Sequence, residues 1–223
     1  MKIIVFEGLD GSGKRTQSEI LTKKLLLKNF DAKLISMPNY ESLSSGPIRI
    51  YLNRELGENA CEVNAYAASS FFAVDRFINY IKYWKNFYEK ENSIVICDRY
   101  TTSNMIYQLA KINKKDRDKF LDWLVEYEYQ KLKIPKPDLV IYLKVPIEIS
   151  QNLLKSRYCG NYFKQDLHEF DKNYLKQCEI AAQYLAEKYS WQIIDCSANG
   201  CEIDKLEEIS EKIWNIIYSK INN

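Results

Sequence analysis

The residues best suited to chemistry follow the first apolar run of the chain. They read Gly8-Leu9-Asp10-Gly11-Ser12-Gly13-Lys14, which fits the pattern G-x-x-x-x-G-K. Glycines let the backbone turn its N–H groups toward phosphate oxygens, and a helix that begins at this point adds its positive end. Lys14 would reach the β- and γ-phosphates of a nucleotide. With an apolar run before it and a helical pattern after it, the motif predicts an ATP-binding phosphate loop.

The residue after this lysine departs from the pattern. Ser or Thr at that position normally holds Mg²⁺, whereas this chain has Arg15 followed by Thr16. Adjacent helical side chains point about 100° apart, so Thr16 cannot simply replace the missing ligand. We expect Gly8 to Thr16 to bind ATP, with Thr16 at the α-phosphate, and we expect waters and a carboxylate to hold the Mg²⁺.

A second motif, Asp98-Arg99-Tyr100, ends another apolar run. Ligands of open parallel sheets bind beyond the carboxyl ends of the strands, so this motif should face the same crevice as the phosphate loop. There Asp98 would order Mg²⁺ or its waters, and Arg99 would bridge the donor and acceptor phosphates. The alternative is a surface salt bridge without a function.

Both motifs need a scaffold of alternating strands and helices. Helical spacing separates the apolar runs, for example at Phe71, Val74, Ile78 and Ile81. This alternation predicts a three-layer α/β fold, with a five-stranded parallel sheet between helices. The chain contains no linker, so we expect one domain over residues 1–223, with a short polar lid at about 156–168. The predicted strands are Ile3 to Phe6, Ala32 to Met37, Ile94 to Cys97, Leu139 to Leu143, and Trp191 to Cys196.

Composition narrows the class of protein. Hydrophobic residues make up 46% and charged residues 28% of 223 residues, as in ordinary globular proteins. The net charge of +2 is spread along the chain, which argues against a nucleic-acid polymer as the partner. Six cysteines without C-x-x-C spacing indicate reduced thiols rather than disulfides or a zinc site. Without a signal peptide or a run of ~20 apolar residues, we expect a cytoplasmic protein with no membrane partner.

Four ordered motifs together resemble the thymidylate kinase family over nearly the whole chain. They are Phe6 to Lys14, Phe72-Ala73-Val74-Asp75-Arg76, Asp98 to Asn104, and Pro137-Asp138-Leu139. The resemblance implies that the three-layer α/β fold is of the P-loop kinase type. It implies transfer of the γ-phosphoryl group of MgATP to dTMP. It also implies a homodimer, formed through helices such as that from Asn64 to Tyr88.

The same resemblance implies roles for individual residues of the acceptor site. Phe72 would stack on the thymine base, Arg76 would hydrogen-bond it, and Asn104 would reach it from the helix after Arg99. Tyr107 would lie under the deoxyribose. Asp10 and Arg99 would lie near the acceptor phosphate, with Tyr40 assisting because Asn39 stands where the family often has an arginine.

The polar segment after residue 155 resembles the lid of the family. Lys155, Arg157 and Lys164 are its candidate cations, and Arg157 is the expected catalytic one. We expect Asp10, Asp98 and Glu169 to form the metal site. His168 is expected to be structural, because a phosphate acceptor is already ionised near pH 7 and needs no general base.

Other functions fit parts of the sequence. Asn113-Lys114-Lys115-Asp116 matches the N-K-x-D pattern of GTP-dependent switches, but it continues a helical segment instead of ending a buried strand. Arg15 leaves open a nucleotide-binding regulator without catalysis. A kinase for another nucleoside monophosphate or for a deoxynucleoside is the nearest alternative among enzymes.

Overall fold

A computed structural model describes residues 1–157, 167–168 and 171–221, with only the backbone of Arg157. Within these residues, five parallel strands form one sheet in the order β2-β3-β1-β4-β5. Each of the five predicted strands is confirmed, with ends that differ by no more than two residues. The strands are β1 (Ile3–Glu7), β2 (Asp31–Ser36), β3 (Ser93–Asp98), β4 (Leu139–Lys144) and β5 (Gln192–Asp195).

Helices connect the strands and cover both faces of the sheet. The phosphate-loop motif leads directly into the first of them, and the second motif leads into the fifth. The helices are α1 (Lys14–Leu27), α2 (Gly46–Leu52), α3 (Ala65–Asn79), α4 (Lys85–Tyr88), α5 (Thr101–Leu109), α6 (Arg117–Val125), α7 (Ile147–Arg157), α8 (Lys172–Tyr189) and α9 (Leu206–Ile221). Short 3₁₀ turns lie at Leu43–Ser45 and Lys114–Asp116, and π-helical turns at Tyr80–Trp84 and Glu126–Lys131.

The side chains of the central strands alternate between two apolar cores. Ile4 and Phe6 of β1 pack on one face, with α1 and α9. Ile3 and Val5 of the same strand pack on the other face, with α3, α5, α6 and α8. A strand buried on both faces must be apolar throughout, so these strands appear in the sequence as short runs of consecutive apolar residues. The three-layer α/β prediction is therefore confirmed.

Strand register brings the two motifs to one edge of the sheet. Phe6 pairs with Asp98 of β3, and Ser36 of β2 pairs with the same Asp98. The backbone N–H of Arg99 then donates to the carbonyl of Phe6 at 3.1 Å. The phosphate loop and the Asp98-Arg99 turn thus begin side by side at the carboxyl ends of β1 and β3.

Five of the six cysteines lie within the described residues. Cys61, Cys97, Cys178, Cys196 and Cys201 are all free, and Cys159 lies outside the described residues. Within the described ranges, the structure has no helix that is both long and apolar enough to cross a membrane.

Candidate active site

A crevice of about 740 Å³ opens at the carboxyl ends of the strands. It extends from the phosphate loop past the Asp98-Arg99 turn to α3 and α5. Of the residues predicted from the sequence, it is lined by Asp10, Gly11, Ser12, Gly13, Lys14, Arg15, Thr16, Tyr40, Phe72, Arg76, Asp98, Arg99, Asn104 and Tyr107. Gly8 and Leu9 form the start of the loop behind this surface. The structure thus brings the predicted phosphate and base residues into one crevice.

Glycines shape the phosphate loop. Gly8, Gly11 and Gly13 have φ values of 151°, 82° and 82°, which side chains rarely tolerate. A Cβ at Gly8 would lie 2.7 Å from the carbonyl oxygen of Leu143, and one at Gly11 would lie 2.5 Å from that of Ser150. Only glycine therefore allows the loop to pack against β4 and α7 while it turns into α1.

Lys14 lies at the centre of the loop and is 6% exposed. Its Nζ donates to the carbonyl oxygen of Leu9 at 2.9 Å and lies 3.8 Å from Asp10 Oδ1. Burial and the nearby Arg99 guanidinium lower the pKa of Lys14 to about 8, although Asp10 acts in the opposite direction. Burial alone would raise the pKa of Asp10, but Arg99 and Lys14 lower it to about 2. The site therefore holds two cations around one ionised carboxylate.

Arg99 occupies a backbone conformation that is unusual for a residue with a side chain. Its φ is 67°, in the left-handed region, where such strain is often associated with functional sites. Arg99 Nη2 contacts Asp10 Oδ1 as an ion pair, and its Nη1 donates to the hydroxyl of Tyr107 at 3.3 Å. The turn after β3 thus directs the guanidinium back across the crevice toward the phosphate loop.

Glu7 anchors this turn and was missed as a site residue in the sequence analysis. It is fully buried, and it accepts hydrogen bonds from Thr102 Oγ1 at 2.7 Å, Ser103 Oγ at 2.8 Å and the backbone N–H of Tyr100 at 3.2 Å. Burial raises the pKa of Glu7, although Arg99 and the hydroxyl donors oppose the shift. Because the carboxylate lies at the end of β1, it ties the start of the phosphate loop to the start of α5.

His168 lines the crevice with a buried side chain. Its ring stacks on that of Tyr107 with centroids 4.9 Å apart, and its Nε2 is 2.9 Å from the hydroxyl of Tyr51. Lys111 Nζ donates to the same hydroxyl at 2.9 Å. Burial and the charge of Lys111 lower the pKa of His168 to about 3. The ring is therefore packed and neutral near pH 7, and its structural role stays a prediction.

Arg76 and Asn104 form the far end of the crevice together with Phe72. Arg76 Nη1 donates to the carbonyl oxygen of Tyr100 at 3.0 Å, and its Nε and Nη2 donate to Glu128. Three of the five N–H groups of the guanidinium are therefore taken, which leaves two. Burial alone would lower the pKa of Arg76, but the charge of Glu128 raises it. Glu128 was also missed in the sequence analysis.

The loop after β2 is held by Asp75 of α3. Its carboxylate accepts from the backbone N–H of Asn39 at 3.2 Å, from Asn79 Nδ2 at 3.0 Å and from the hydroxyl of Ser44. Tyr40 follows in this loop and lines the mouth of the crevice with its side chain half exposed. Asp75 and Arg76 are neighbours in sequence, yet Asp75 fixes the loop after β2 and Arg76 contacts Glu128 on the opposite side.

An apolar surface beside the phosphate loop was also not predicted. Ile203, Leu206 and Ile209, which follow β5, line the crevice together with Gln17 of α1. Gln17 Nε2 donates to the carbonyl oxygen of Leu206 at 3.2 Å, and Ser210 Oγ donates to Gln17 Oε1 at 2.8 Å. These bonds fix the start of α9 against the start of α1.

Some of the residues predicted from the sequence lie outside the described residues, and others do not line the crevice. Glu169 and Lys164 lie outside the described residues, as does most of the predicted lid, and the side chain of Arg157 is not described. The Asn113–Asp116 segment is exposed in and beside a 3₁₀ turn, and it does not line the crevice. Its position does not match that of a base-reading motif at the end of a strand.

Comparison with known proteins identifies the family. The family model for thymidylate kinase matches residues 6–207. The chain belongs to the thymidylate kinase family. It is 33% identical to a probable thymidylate kinase of Methanocaldococcus jannaschii over 89% of each chain. It is also 30% identical to the thymidylate kinase of Mycobacterium tuberculosis, over 70% of this chain and 71% of the relative.

A solved structure of the same family has the same fold. The thymidylate kinase of Candida albicans superposes with a TM-score of 0.70 at 25% sequence identity, over 99% of this chain and 92% of the other. The resemblance inferred from the four motifs is thus confirmed, and the chain is a nucleoside monophosphate kinase, a phosphotransferase. Family membership also implies ATP as the phosphate donor and a divalent metal.

Proposed function

We propose that this kinase transfers the γ-phosphoryl group of ATP to the phosphate of dTMP, giving ADP and dTDP. The observation that carries the proposal is the placement of Arg76 and Asn104 in the same crevice as Lys14 and Arg99. One end of the crevice offers cations for phosphates, and the other offers polar groups for a base edge. Among its relatives, the M. tuberculosis protein carries the name thymidylate kinase and the M. jannaschii protein the name probable thymidylate kinase.

The phosphate end supports an in-line transfer. An oxygen of the acceptor phosphate forms a bond to the γ-phosphorus, and the bond from that phosphorus to the β–γ bridging oxygen breaks. In this proposal Lys14 and Arg99 stabilise the negative charge that builds up during the exchange, so their contribution is charge and position. The second ionisation of a phosphate monoester has a pKa of about 6, so the acceptor needs no general base near pH 7. The neutral, packed His168 agrees with this requirement.

The base end supports selection of thymine. Arg76 has two remaining N–H groups that match the O4 acceptor of the base, and Phe72 offers an aromatic face beside it. Asn104 uses both hydrogens of Nδ2 inside the protein, and no donor among the described residues reaches its Oδ1. That oxygen matches the N3–H group of thymine. Tyr107, whose hydroxyl donates to Asp10 at 3.3 Å, lies between the base end and the phosphate end.

The apolar surface formed by Ile203, Leu206 and Ile209 suits the adenine of ATP. Leu206 is hydrogen-bonded to Gln17 in the first turn of α1, directly after the phosphate loop, so a nucleotide whose phosphates occupy the loop would place its base on this surface. Both nucleotides would then lie in the crevice with their phosphates meeting near Arg99.

The carboxylates present fit a Mg²⁺ ion held mainly by phosphates and water. Asp98 lines the crevice, and its side chain accepts no hydrogen bond from the described residues, whereas Asp10 is engaged with Arg99 and Lys14. No group of three or more potential metal ligands occurs in the described part of the chain. Mg²⁺ commonly uses one or two carboxylates, several waters and substrate phosphates, so Asp98 would hold it here. The bound ion would neutralise phosphate charge.

The exposed face of α3 supports a homodimer. Polar residues of this helix, including Asp75 and Arg76, are buried, while Val74 is 44% exposed. Further along, Ile81 and Tyr83 are 49% and 44% exposed. An apolar surface of this kind on a helix is typical of an interface, and we propose that a second copy of the chain covers it.

The oligomeric state tests this part of the proposal. Ile81→Glu should convert a dimer to a monomer in light scattering, whereas Leu27→Glu, at an exposed site on α1, should not. A monomeric wild-type protein would contradict the dimer.

The free thiols support a reducing compartment, and we propose the cytoplasm.

An acceptor screen tests the enzymatic proposal. ADP release from ATP and Mg²⁺ is measured with dTMP, dUMP, dCMP, the purine monophosphates and thymidine. We expect dTMP to exceed dUMP modestly, because one methyl group in an apolar pocket is worth ~1–3 kcal/mol. Both should exceed dCMP by up to ~10⁴-fold, because cytosine would leave polar groups unpaired. Equal turnover of dCMP and dTMP would contradict the proposal.

A further inference from the structure

Glu128 is a fully buried carboxylate at the base end of the crevice, and it is not itself among the residues that line it. It lies in the π-helical turn Glu126–Lys131, far in sequence from the residues that it contacts. Its Oε2 accepts from Arg76 Nε at 2.7 Å, and its Oε1 accepts from Arg76 Nη2 at 2.9 Å. This two-point contact fixes the plane of the guanidinium and determines which N–H groups face the crevice.

Glu128 also holds Asn104. Asn104 Nδ2 donates one hydrogen to Glu128 Oε1 at 3.0 Å and the other to the backbone carbonyl of Ser69 at 3.1 Å. Both partners are acceptors, and a carboxylate that faces an arginine has no hydrogen to donate. The amide of Asn104 must therefore turn its nitrogen toward Glu128 and its oxygen away from it.

The orientation of this amide has a consequence for base selection. An amide oxygen accepts a hydrogen bond from a ring N–H, which thymine and uracil have at N3. Cytosine has an acceptor at N3, so it would place two acceptors against each other. The reversed amide would present donors and favour cytosine.

We infer that Glu128 is a positioning residue that sets pyrimidine selectivity by fixing the orientation of Asn104 and the guanidinium plane of Arg76. The inference rests on the proposed use of dTMP as acceptor. Glu128 contacts the substrate only through these two residues, so its effect should appear in the ratio of acceptors more than in the use of ATP.

A purely structural ion pair would predict something different. Buried ion pairs often contribute little net stability, because desolvation offsets the attraction. If Glu128 only supported the fold, its loss would reduce turnover of all acceptors by one common factor. If it orients Asn104, its loss would reduce the use of dTMP and dUMP but not that of dCMP.

Glu128→Gln tests the inference with little change in shape. The introduced amide has one acceptor instead of two, so its N–H group would face either Arg76 Nε or the pair formed by Arg76 Nη2 and Asn104 Nδ2. In either orientation a donor meets a donor, and the present arrangement of Arg76 and Asn104 is lost. We expect the ratio of kcat/KM for dTMP to that for dCMP to fall by about tenfold or more. The dTMP/dUMP ratio and the KM for ATP should stay unchanged. Glu126→Gln, which alters an exposed pair with Lys131, is the matched control and should leave all these values unchanged.

The outcomes separate the inference from the proposed function. A wild-type enzyme without preference for dTMP over dCMP would contradict the proposed function before any variant is made. A selective wild type with an unchanged ratio in Glu128→Gln would overturn the inference alone. If Glu128→Gln does not fold, Asn104→Ala takes its place, because it removes the oriented amide and leaves the Arg76 ion pair. An unchanged dTMP/dCMP ratio in Asn104→Ala would equally overturn the inference.

Discussion

The ammonium group of Lys14 lies 3.8 Å from the carboxylate of Asp10 in a loop that excludes most water. Burial and Arg99 lower the pKa of Lys14 to about 8, so the free enzyme loses this charge as the pH rises through 8. We expect kcat/KM for ATP to fall above about pH 8, since kcat/KM reports groups of the free enzyme. Bound phosphates stabilise the cation, so kcat at saturating ATP should decline only at higher pH.

Asp10→Asn provides the control for this pH profile. Asp10 raises the pKa of Lys14, so removal of its charge should move the alkaline decline of kcat/KM to lower pH. If kcat/KM for ATP declines at the same pH in this variant as in the wild type, the titrating group is not Lys14.

Arg99→Ala should lower kcat by roughly 10²-fold or more, as does the loss of one fixed donor to a transition state. Arg99→Lys should recover little of this activity, because a single ammonium group cannot reproduce the planar contacts to Asp10 and Tyr107. Steady-state kinetics with both substrates varied would measure the effect. Near-wild-type turnover in Arg99→Ala would show that Arg99 does not act in phosphoryl transfer.

Arg15→Ser should have only a modest effect, despite restoring the residue that usually holds the metal. Arg15 is 70% exposed and its Nε is 3.1 Å from Glu19, and such surface pairs contribute little. We expect kcat to change by less than about fivefold. Activity of this variant would be measured over a range of Mg²⁺ concentrations. Loss of activity at all of them would show instead that Arg15 is a catalytic cation.

Arg76→Ala should destabilise the protein as well as change its selectivity, because Glu128 would remain buried without its partner. Breaking a buried ion pair on one side costs about 3–5 kcal/mol. Thermal unfolding should show a clear fall in Tm for Arg76→Ala and partial recovery in the double variant Arg76→Leu/Glu128→Leu. Equal stability of the single and double variants would mean that the uncompensated charge is not the cause.

Phe72→Ala should weaken all pyrimidine acceptors together. Stacking uses the face of the base, which thymine, uracil and cytosine share, whereas the edge contacts of Arg76 and Asn104 differ among them. The KM values for dTMP, dUMP and dCMP should rise in parallel, with their ratios unchanged. A selective loss of dTMP would show that Phe72 reads the 5-methyl group.

Most of the fold and half of the site were predictable because their signals are local. Strands such as β1 are apolar over consecutive residues, and the glycines of the phosphate loop have fixed spacing in front of a helix. Asp98 and Arg99 were found because they end a strand, where the sheet topology determines their position. In each case a few neighbouring residues contain the whole pattern.

The missed residues depend on partners that are distant in sequence. Glu128 is one of several acidic residues in its segment, and only the fold reveals its contacts with Arg76 and Asn104. Its π-helical turn also breaks the 3.6-residue period on which sequence patterns rely. Leu206 and Ile209 resemble ordinary core positions of α9, since an apolar residue gives no sign that it faces a ligand.

The close approach of Gly11 to α7 restricts how this enzyme can evolve. A side chain at Gly11 would press against the carbonyl oxygen of Ser150 and the side chain of Leu154. The carbonyl belongs to the backbone, so no change of residue type in α7 removes this contact, and the φ of 82° at Gly11 disfavours a side chain as well. In a mutational library selected for activity, position 11 should therefore remain glycine whatever residues stand at 150 and 154, whereas Gly13, where a Cβ would meet nothing within 4 Å, should be limited by its backbone angle alone.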